Sequence, residues 1–394
     1  MAVPTFTADP PSNPKRFAFL LEDGGMPWFS TYSYQGEDKG LLKPIRQPVC
    51  LWLVSLIPMW LAPHALTISG SAALIPSLAA MAWYAPFGCD SSALAWVSVA
   101  CGVGGIVWDV LDNMDGPQAR RTKTAGIMGD FLDHLLDYIS LASMVYGFMW
   151  SMGLGRDPTG LALGALALAA HECAVYMTWW GRRFTKVVIL GAISQDEAVF
   201  ILGGAMFYSA TVPPEYWTAE AFTYGGVSYA RSHAVAIATL VLLGAGALVV
   251  SLLETLTHKA FPAARRAEAV VALWPLVGFL ASLCAAMAWL GREGVAPPSL
   301  WLVFLGVSAV CWPLGSLQLL SALAGRAPSA AVNLLLVCYP LVLAYAHLRN
   351  PASGLMYAAL ALHAVMLMAA ADVAGVLMKR VNCASLWVIP QRKE

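Results

Sequence analysis

The sequence predicts an all-α polytopic membrane protein. Apolar residues make up 59% of the 394 positions and charged residues only 12%. Soluble domains carry about 25% charged residues, so this deficit is typical of a chain that lies largely within a bilayer. Many apolar runs also approach the roughly 20 residues that an α-helix needs to cross a membrane. Because the net charge is zero, the chain gives no electrostatic indication of binding to nucleic acid.

About ten segments are predicted to span the membrane. They lie near residues 65–85, 93–114, 125–152, 158–181, 187–210, 232–256, 267–291, 298–324, 328–348 and 353–378. The preceding segment, 1–64, mixes aromatic and basic residues, which predicts an amphipathic stretch at the membrane surface. Its apolar run from Val49 to Leu61 is short and precedes Pro63, so we expect it to be interfacial as well.

The distribution of basic residues predicts the orientation of these spans. Ten spans place both termini on one side, and 19 of the 23 Lys and Arg residues fall on that side. The other four are Arg156, Arg231, Arg292 and Arg349. Cytosolic loops carry the excess of positive charge in membrane proteins, so both termini are expected in the cytosol.

The most polar stretch within the spans runs from Asp112 to Asp137. Asp112 and Asp115 are three residues apart, and Asp133 and Asp137 are four apart, so each pair would share one face of a helix. An ionised Asp at the centre of a bilayer costs roughly 2.5–3.5 kcal/mol, and four would cost on the order of 10 kcal/mol. These helices have no comparable density of Lys or Arg. Divalent cations, Mg²⁺ or Mn²⁺, are therefore predicted to be held by the carboxylates.

The residues between the two acidic pairs indicate a phosphate ligand. Gly116 and Gly129 would let a bound group approach the backbone closely, and Ala119 keeps the next turn small. Arg120 can bind phosphate with two parallel hydrogen bonds. Pro117 is expected to break the helix between the acidic pairs. Carboxylate-bound metal together with glycine and arginine is an arrangement suited to a pyrophosphate.

The spacing resembles the signature of the CDP-alcohol phosphotransferases, D-x2-D-G-x2-A-R-x8-G-x3-D-x3-D, with every fixed position present. The local sequence is similar to that of the eukaryotic choline and ethanolamine phosphotransferase branch. It has L-D-N before the second Asp, then Q-A-R-R-T, and D-H at the third Asp. The resemblance implies transfer of phosphoethanolamine or phosphocholine from the CDP-alcohol to the hydroxyl of diacylglycerol, with release of CMP. It implies that two metal ions are held by Asp112, Asp115, Asp133 and Asp137. It places Asn113, Gly116, Ala119, Arg120 and Gly129 near the CDP-alcohol.

Three parts of the chain are expected from this interpretation. Residues 1–64 form the cytosolic and interfacial segment, and residues 65–210 form a catalytic helical bundle around the motif at 112–137. Residues 211–394 add five helices that serve as a scaffold or a dimer interface. The resemblance also implies a homodimer in endoplasmic reticulum or Golgi membranes, with a cytosolic active site that takes CDP-ethanolamine or CDP-choline.

The acceptor of the lipid hydroxyl's proton has three candidates. Asp137 is the residue that the resemblance implies, although a metal-bound carboxylate is a weak base. His134 has a pKa near neutrality when unperturbed, and Glu197 lies in the run I-S-Q-D-E. We hypothesise that Glu197 orients the imidazole of His134. The roles of His171, Glu172 and Asp372 stay open, with a hydrogen bond between helices the favoured interpretation of the first two.

Alternative functions remain at this stage. A family member with another alcohol or acceptor would carry the same motif. An intramembrane prenyltransferase also holds pyrophosphate with acidic pairs, but it spreads them over distant helices. An ion-coupled transporter could use carboxylates as an ion site, but it would not need Gly116 and Arg120.

Overall fold

The computed structural model describes residues 34–324, 327–380 and 387. Helices dominate this part of the chain, and the predicted all-α class is confirmed. Fifteen α-helices follow one another: α1 Lys43–Leu56, α2 Pro63–Ala72, α3 Ile75–Tyr84, α4 Ala95–Thr122, α5 Ile127–Ser151, α6 Pro158–Thr185, α7 Gln195–Thr211, α8 Pro214–Thr218, α9 Arg231–Thr239, α10 Gly246–Thr257, α11 Arg266–Val271, α12 Trp274–Glu293, α13 Leu300–Ala324, α14 Ala330–Arg349 and α15 Gly354–Arg380. The interfacial residues predicted before position 34 lie outside the described range.

Eight segments of the described chain are long and apolar enough to cross a membrane. They are Pro63–Tyr84, Ser92–Thr122, Pro158–Thr185, Arg231–Thr257, Ala263–Glu293, Leu300–Ala324, Ala330–Arg349 and Gly354–Gly375. The two other predicted spans correspond to α5, which carries Asp130, Asp133 and Asp137, and to α7, which has only 17 residues. The chain is an integral membrane protein by these helices, but the predicted number of ten spans is not confirmed.

Helix α1 is too short to cross a bilayer with its 14 residues. It buries Cys50 and Val54 beside Leu66 and Met114, while Trp52 and Leu56 stay exposed. One face therefore packs on the bundle and the other carries large apolar side chains outward, as expected of a helix at the membrane surface.

Two small sheets accompany the helices. Strand β1, Gly36–Asp38, pairs in parallel with β2, Val188–Leu190. Strands β3, Glu220–Tyr224, and β4, Val227–Ala230, form an antiparallel hairpin. This hairpin lies between the predicted spans 187–210 and 232–256. The apolar pattern that predicts the spans does not reveal such local structure between them.

The acidic motif lies on two continuous helices, and the prediction of a break at Pro117 is wrong. Helix α4 passes through Pro117 and ends at Thr122, where Lys123 adopts a left-handed conformation with φ of 58°. Proline removes only one backbone donor, and contacts on its C-terminal side hold the helix in place. Gln118 donates to the carbonyls of Pro58 and Leu61 at 3.1 and 3.0 Å.

Helix α13 joins the second half of the chain to the helices of the motif. The indole of Trp312 donates to the carbonyl of Leu135 at 3.1 Å, and the amide of Gln318 donates to the hydroxyl of Tyr176 at 2.8 Å. Twenty of its residues are buried. Helix α13 packs within the same core as α5 and α6. The boundary at residue 210 between a catalytic bundle and five further helices stays a prediction.

We expect Gly315→Ala to destabilise the protein. A Cβ at Gly315 would lie 1.9 Å from Cζ of Tyr138, whose rigid ring is fully buried between α5 and α13. Overpacking of this kind costs about 1–3 kcal/mol, so the apparent Tm in detergent should fall by several degrees. Gly204→Ala is the matched control, because nothing lies within 4 Å of its Cβ position. An unchanged Tm for Gly315→Ala would contradict the close packing of α13 on α5.

Candidate metal and phosphate site

The four predicted carboxylates converge where α4 and α5 meet. Asp112, Asp115 and Asp133 can each offer one oxygen, with all three atoms within 4.8 Å of one another. Asp133, His134 and Asp137 form a second group within the same distance. Because Asp133 belongs to both groups, the cluster has the layout of two adjacent metal positions.

The residues present fit divalent cations. The Oδ1 atoms of Asp112 and Asp133 are buried without a hydrogen-bond partner in the described part of the chain. Uncompensated carboxylate oxygens in an apolar bundle are costly, and a hard cation would satisfy them. Thr67 donates to Oδ2 of Asp115 at 2.5 Å, which fixes one ligand through α2. The cluster is a site that can hold a metal.

A cavity of about 1100 Å³ lies over this cluster. Its polar end is lined by the acidic motif, by residues of the segment before α1 and by the start of α7. Its apolar end runs between α5, α6, α7 and the helical segment from 231 to 257. A single cavity therefore connects the acidic cluster with surfaces that resemble the bilayer interior.

The glycines and the arginine of the motif border the polar end. A Cβ at Gly116 would have only the guanidinium of Arg120 within reach, at 3.4 Å, and one at Gly129 only Cε1 of His64, at 3.6 Å. Packing of the described residues therefore does not require glycine at these positions, and both leave open space at the polar end of the cavity. Arg120 is exposed and lines the cavity. Ala119 also lines the cavity.

His134 lies among acids of its own helix. Its Nε2 is 3.0 Å from Oδ1 of Asp130, and its Nδ1 is 3.5 Å from Asp133 and 3.4 Å from Asp137. Its ring centroid is 4.4 Å from that of Trp179. The imidazole is held between a carboxylate and an indole, at the edge of the candidate metal cluster.

The hypothesised contact between Glu197 and His134 is replaced by other contacts. Glu197 caps α7: Oε2 accepts from the backbone N–H of Ser194 at 2.8 Å, and Oε1 accepts from that of Leu42 at 2.7 Å. A Glu three residues after a Ser at a helix start commonly closes such a capping box. The neighbour of the imidazole is instead Asp130, four residues earlier on the same helix.

Gln195 and Asp196 are site residues that the sequence analysis missed. The amide of Gln195 donates to Oδ2 of Asp112 at 3.3 Å and to Oδ1 of Asp137 at 3.2 Å, and so bridges the two acidic pairs. Asp196 accepts from the amide of Asn113 at 2.8 Å and forms an ion pair with Arg46. The available signal was the polar run I-S-Q-D-E at a predicted span, in which only the last residue was selected.

A buried ion pair stands behind one wall of the cavity. Arg182 binds both oxygens of Asp130, and its guanidinium lies 5.6 Å from the ring of Tyr34 and 5.9 Å from that of Trp179. Burial raises the pKa of the Tyr34 phenol well above its usual range, with the carboxylate of Asp130 adding to the shift. Tyr34 therefore stays a neutral phenol at physiological pH.

The remaining polar residues of the spans have separate positions. His171 lines the cavity, and its Nε2 is buried without a partner in the described structure. The predicted hydrogen bond between helices is thus not made by that atom. Glu172 is buried and does not line the cavity, and Asp372 lies on α15, away from it.

Comparison with known proteins supports the resemblance that the motif predicts. No protein-family model matches the chain. It is 29% identical to cholinephosphotransferase 1 of Rattus norvegicus over 188 residues, which is 46% of this chain and 47% of the relative. It is 29% identical to choline/ethanolaminephosphotransferase 1 of Arabidopsis thaliana over 192 residues (48% and 47%). A Dictyostelium discoideum protein named as an uncharacterized CDP-alcohol phosphatidyltransferase class-I family protein is 28% identical over 207 residues (52% and 50%).

The chain spans about half the length of the curated relatives that it matches. Within that length, the names of the relatives confirm the resemblance to CDP-alcohol phosphotransferases. The similarity to these relatives covers the matched region only. The arrangement of the candidate site comes from the structure.

We expect Asp133→Asn to abolish tight binding of divalent cations. Asp133 is shared by both groups of candidate ligands, so a neutral amide there weakens both positions at once. The increase in Tm on adding Mg²⁺ or Mn²⁺ to the detergent-solubilised protein should disappear, because only binding to the folded state stabilises it. Asp372→Asn, outside the cavity, is the control and should keep the increase. A cation-dependent Tm in Asp133→Asn that equals the original would exclude this cluster as the metal site.

Proposed function

Because its curated relatives are cholinephosphotransferases and a choline/ethanolaminephosphotransferase, we propose that this chain is a CDP-alcohol:diacylglycerol phosphotransferase. It transfers phosphoethanolamine or phosphocholine from the CDP-alcohol to the hydroxyl of diacylglycerol and releases CMP. The observation that carries the proposal is the cavity that joins a double carboxylate site to an apolar arm. In such a cavity, a nucleotide that enters from water can meet a lipid that enters from the bilayer.

The pyrophosphate lies at the polar end of the cavity. Asp112, Asp115, Asp133 and Asp137 would hold two Mg²⁺ or Mn²⁺ ions, which would neutralise the charge that develops on the phosphates. Arg120 extends toward the same end and binds the phosphates, while Gly116 and Gly129 leave room for them. Gln195 holds Asp112 and Asp137 together across the two helices, which positions ligands from both acidic pairs.

His134 accepts the proton of the lipid hydroxyl. As the hydroxyl oxygen bonds to the β-phosphate, the bond from that phosphorus to the oxygen it shares with CMP breaks, and CMP leaves. A base near the hydroxyl is worth about 10²–10⁴-fold in rate. Asp130 places a carboxylate oxygen 3.0 Å from Nε2, where its charge would stabilise the protonated ring, and Arg182 in turn holds Asp130. Asp137 is the weaker candidate, because metal binding withdraws its basicity.

Tyr34 and Trp179 form the wall nearest to His134. Aromatic faces attract ammonium groups, which supports an amino alcohol as the head group. The guanidinium of Arg182 already lies against both rings, so we leave ethanolamine and choline as joint substrates of this proposal.

The proposal also includes the cellular setting. The excess of basic residues on one side supports a cytosolic site, and the resemblance of the motif implies the endoplasmic reticulum or Golgi as the membrane. The helices from 211 onward serve as a scaffold or as the interface of a homodimer in this proposal.

Purified protein should release CMP from CDP-choline or CDP-ethanolamine when diacylglycerol and Mg²⁺ are supplied in detergent. Phospholipid should form in equal amount, and EDTA should stop both products because the carboxylates alone repel the pyrophosphate. Chromatography of CMP and of the lipid product measures the two. Protein that keeps its cation-dependent Tm yet forms neither product from either donor would overturn the proposed reaction.

His134→Ala should lower turnover by about 10²-fold or more and leave binding of Mg²⁺ and CDP-choline within a few-fold. Turnover from CMP release and binding from thermal stabilisation separate these effects. Glu197→Gln is the comparison: its amide keeps only one of the two acceptor oxygens that bind the N–H groups of Leu42 and Ser194, so the Tm should fall while turnover per folded molecule stays similar. If His134→Ala instead lost Mg²⁺ binding, its imidazole would be a metal ligand and not the base.

A further inference from the structure

The apolar arm of the cavity contains a histidine without an assigned task. Its walls are formed by Leu141 and Val145 of α5, by Leu202 of α7 and by Leu242 and Val250 of the segment from 231 to 257. His171 lies among them on α6. The Nε2 of His171 is buried and has no hydrogen-bond partner in the part of the chain that the structure describes.

An unpaired ring nitrogen in such a place needs a physical reason. A buried donor or acceptor without a partner costs about 1–3 kcal/mol. Thr239, a hydroxyl residue of the same arm, shows the usual solution, because its Oγ1 donates to the carbonyl of Val235 at 2.9 Å. The side chain of His171 makes no such hydrogen bond to the described residues. Its Nε2 is enclosed by protein, so Nδ1 is the nitrogen that a polar group of a molecule in the arm can reach.

The depth of His171 matches the glycerol esters of a lipid whose hydroxyl reaches the phosphates. Helices α5 and α6 run in opposite directions, and the rings of His134 and Trp179 mark one common level, with centroids 4.4 Å apart. At 1.5 Å per residue, His171 lies about 12 Å beyond Trp179, and Asp137 lies about 4.5 Å beyond His134. His171 is therefore roughly 7 Å deeper than the innermost acid, about the separation between the free hydroxyl and the ester carbonyls of a diacylglycerol.

The wall opposite α6 offers a route for a lipid. The segment 231–257 interrupts its α-helix with a π-helical turn at Leu240–Ala245, and Gly244 lies against Ala170, the residue before His171. Leu242 and Val250 are 70% and 51% exposed, so this helix faces the bilayer beside the arm. Turns of this kind are frequent at functional sites because they free backbone groups and open the packing.

We propose that His171 binds an ester carbonyl of the acceptor lipid by donating a hydrogen bond from its imidazole, and thereby selects diacylglycerol over acceptors without ester carbonyls. The inference rests on the proposed function and adds a specificity-determining residue to it. His171 acts on the position of the acceptor and takes no part in proton transfer. The expected effect of its loss is therefore on the KM for the ester acceptor more than on kcat.

The test compares two acceptors in the full-length detergent-solubilised enzyme: 1,2-diacylglycerol and the matched 1,2-dialkylglycerol, which lacks both carbonyls. The original enzyme should prefer the diacyl acceptor by roughly tenfold in kcat/KM, the effect of one hydrogen bond in a dry site. In His171→Leu this preference should fall to about one, and in His171→Gln, which keeps a donor, it should return in part. His363→Leu, a histidine of α15 outside the cavity, should keep it.

The results separate the inference from the function on which it rests. Transfer to diacylglycerol with equal preference for both acceptors in the original enzyme overturns the role of His171 and leaves the transferase intact. An undiminished preference in a folded His171→Leu enzyme, judged by its Mg²⁺-dependent Tm, overturns it as well. If no acceptor receives a phosphoalcohol while Mg²⁺ still binds, the proposed function itself fails. A preference lost in His171→Leu and kept in His363→Leu supports the inference.

Discussion

The structure depends on keeping four carboxylates within reach of one another inside an apolar bundle. Mutual repulsion and the cost of burial both oppose this arrangement, so the fold has to impose it. It does so from several directions: Thr67 fixes Asp115 from α2, and Gln195 bridges Asp112 and Asp137 from α7. The unpartnered oxygens that remain are the ones a cation would take.

The start of α7 is the element that joins this cluster to the rest of the chain. Ser194 and Glu197 cap the helix, and Glu197 also receives the backbone N–H of Leu42. Asp196 ties Asn113 of α4 to Arg46 of α1. The segment before α1 is thereby attached to α4, which carries Asp112 and Asp115, and the pairing of β1 with β2 adds a second attachment. The four polar residues from Ser194 to Glu197 thus fix the shape of the cavity at its polar end.

The cavity explains why such a site belongs in a membrane protein. Its polar end carries charge that needs an aqueous approach, and its apolar arm is bordered by a helix whose side chains face the bilayer. A soluble fold could offer the first but would have to expose the second to water. The polar imidazole of His171 is unusual in this apolar arm, since it contributes nothing to packing against lipid chains.

The sequence by itself determined the membrane class, because hydropathy is a local property. The spacing of the motif also predicted that its acids lie on two helix faces, and the structure brings these acids together as a candidate metal site. It also indicated that His134 belongs to the site. Only the tertiary structure decided the partners. The neighbour of the His134 imidazole is Asp130 and not the predicted Glu197, because Glu197 caps a helix and is already bonded to backbone amides. The tertiary structure also revealed Gln195, Asp196 and Arg182, and carried α4 through Pro117, because contacts between distant helices leave no periodic trace in the chain.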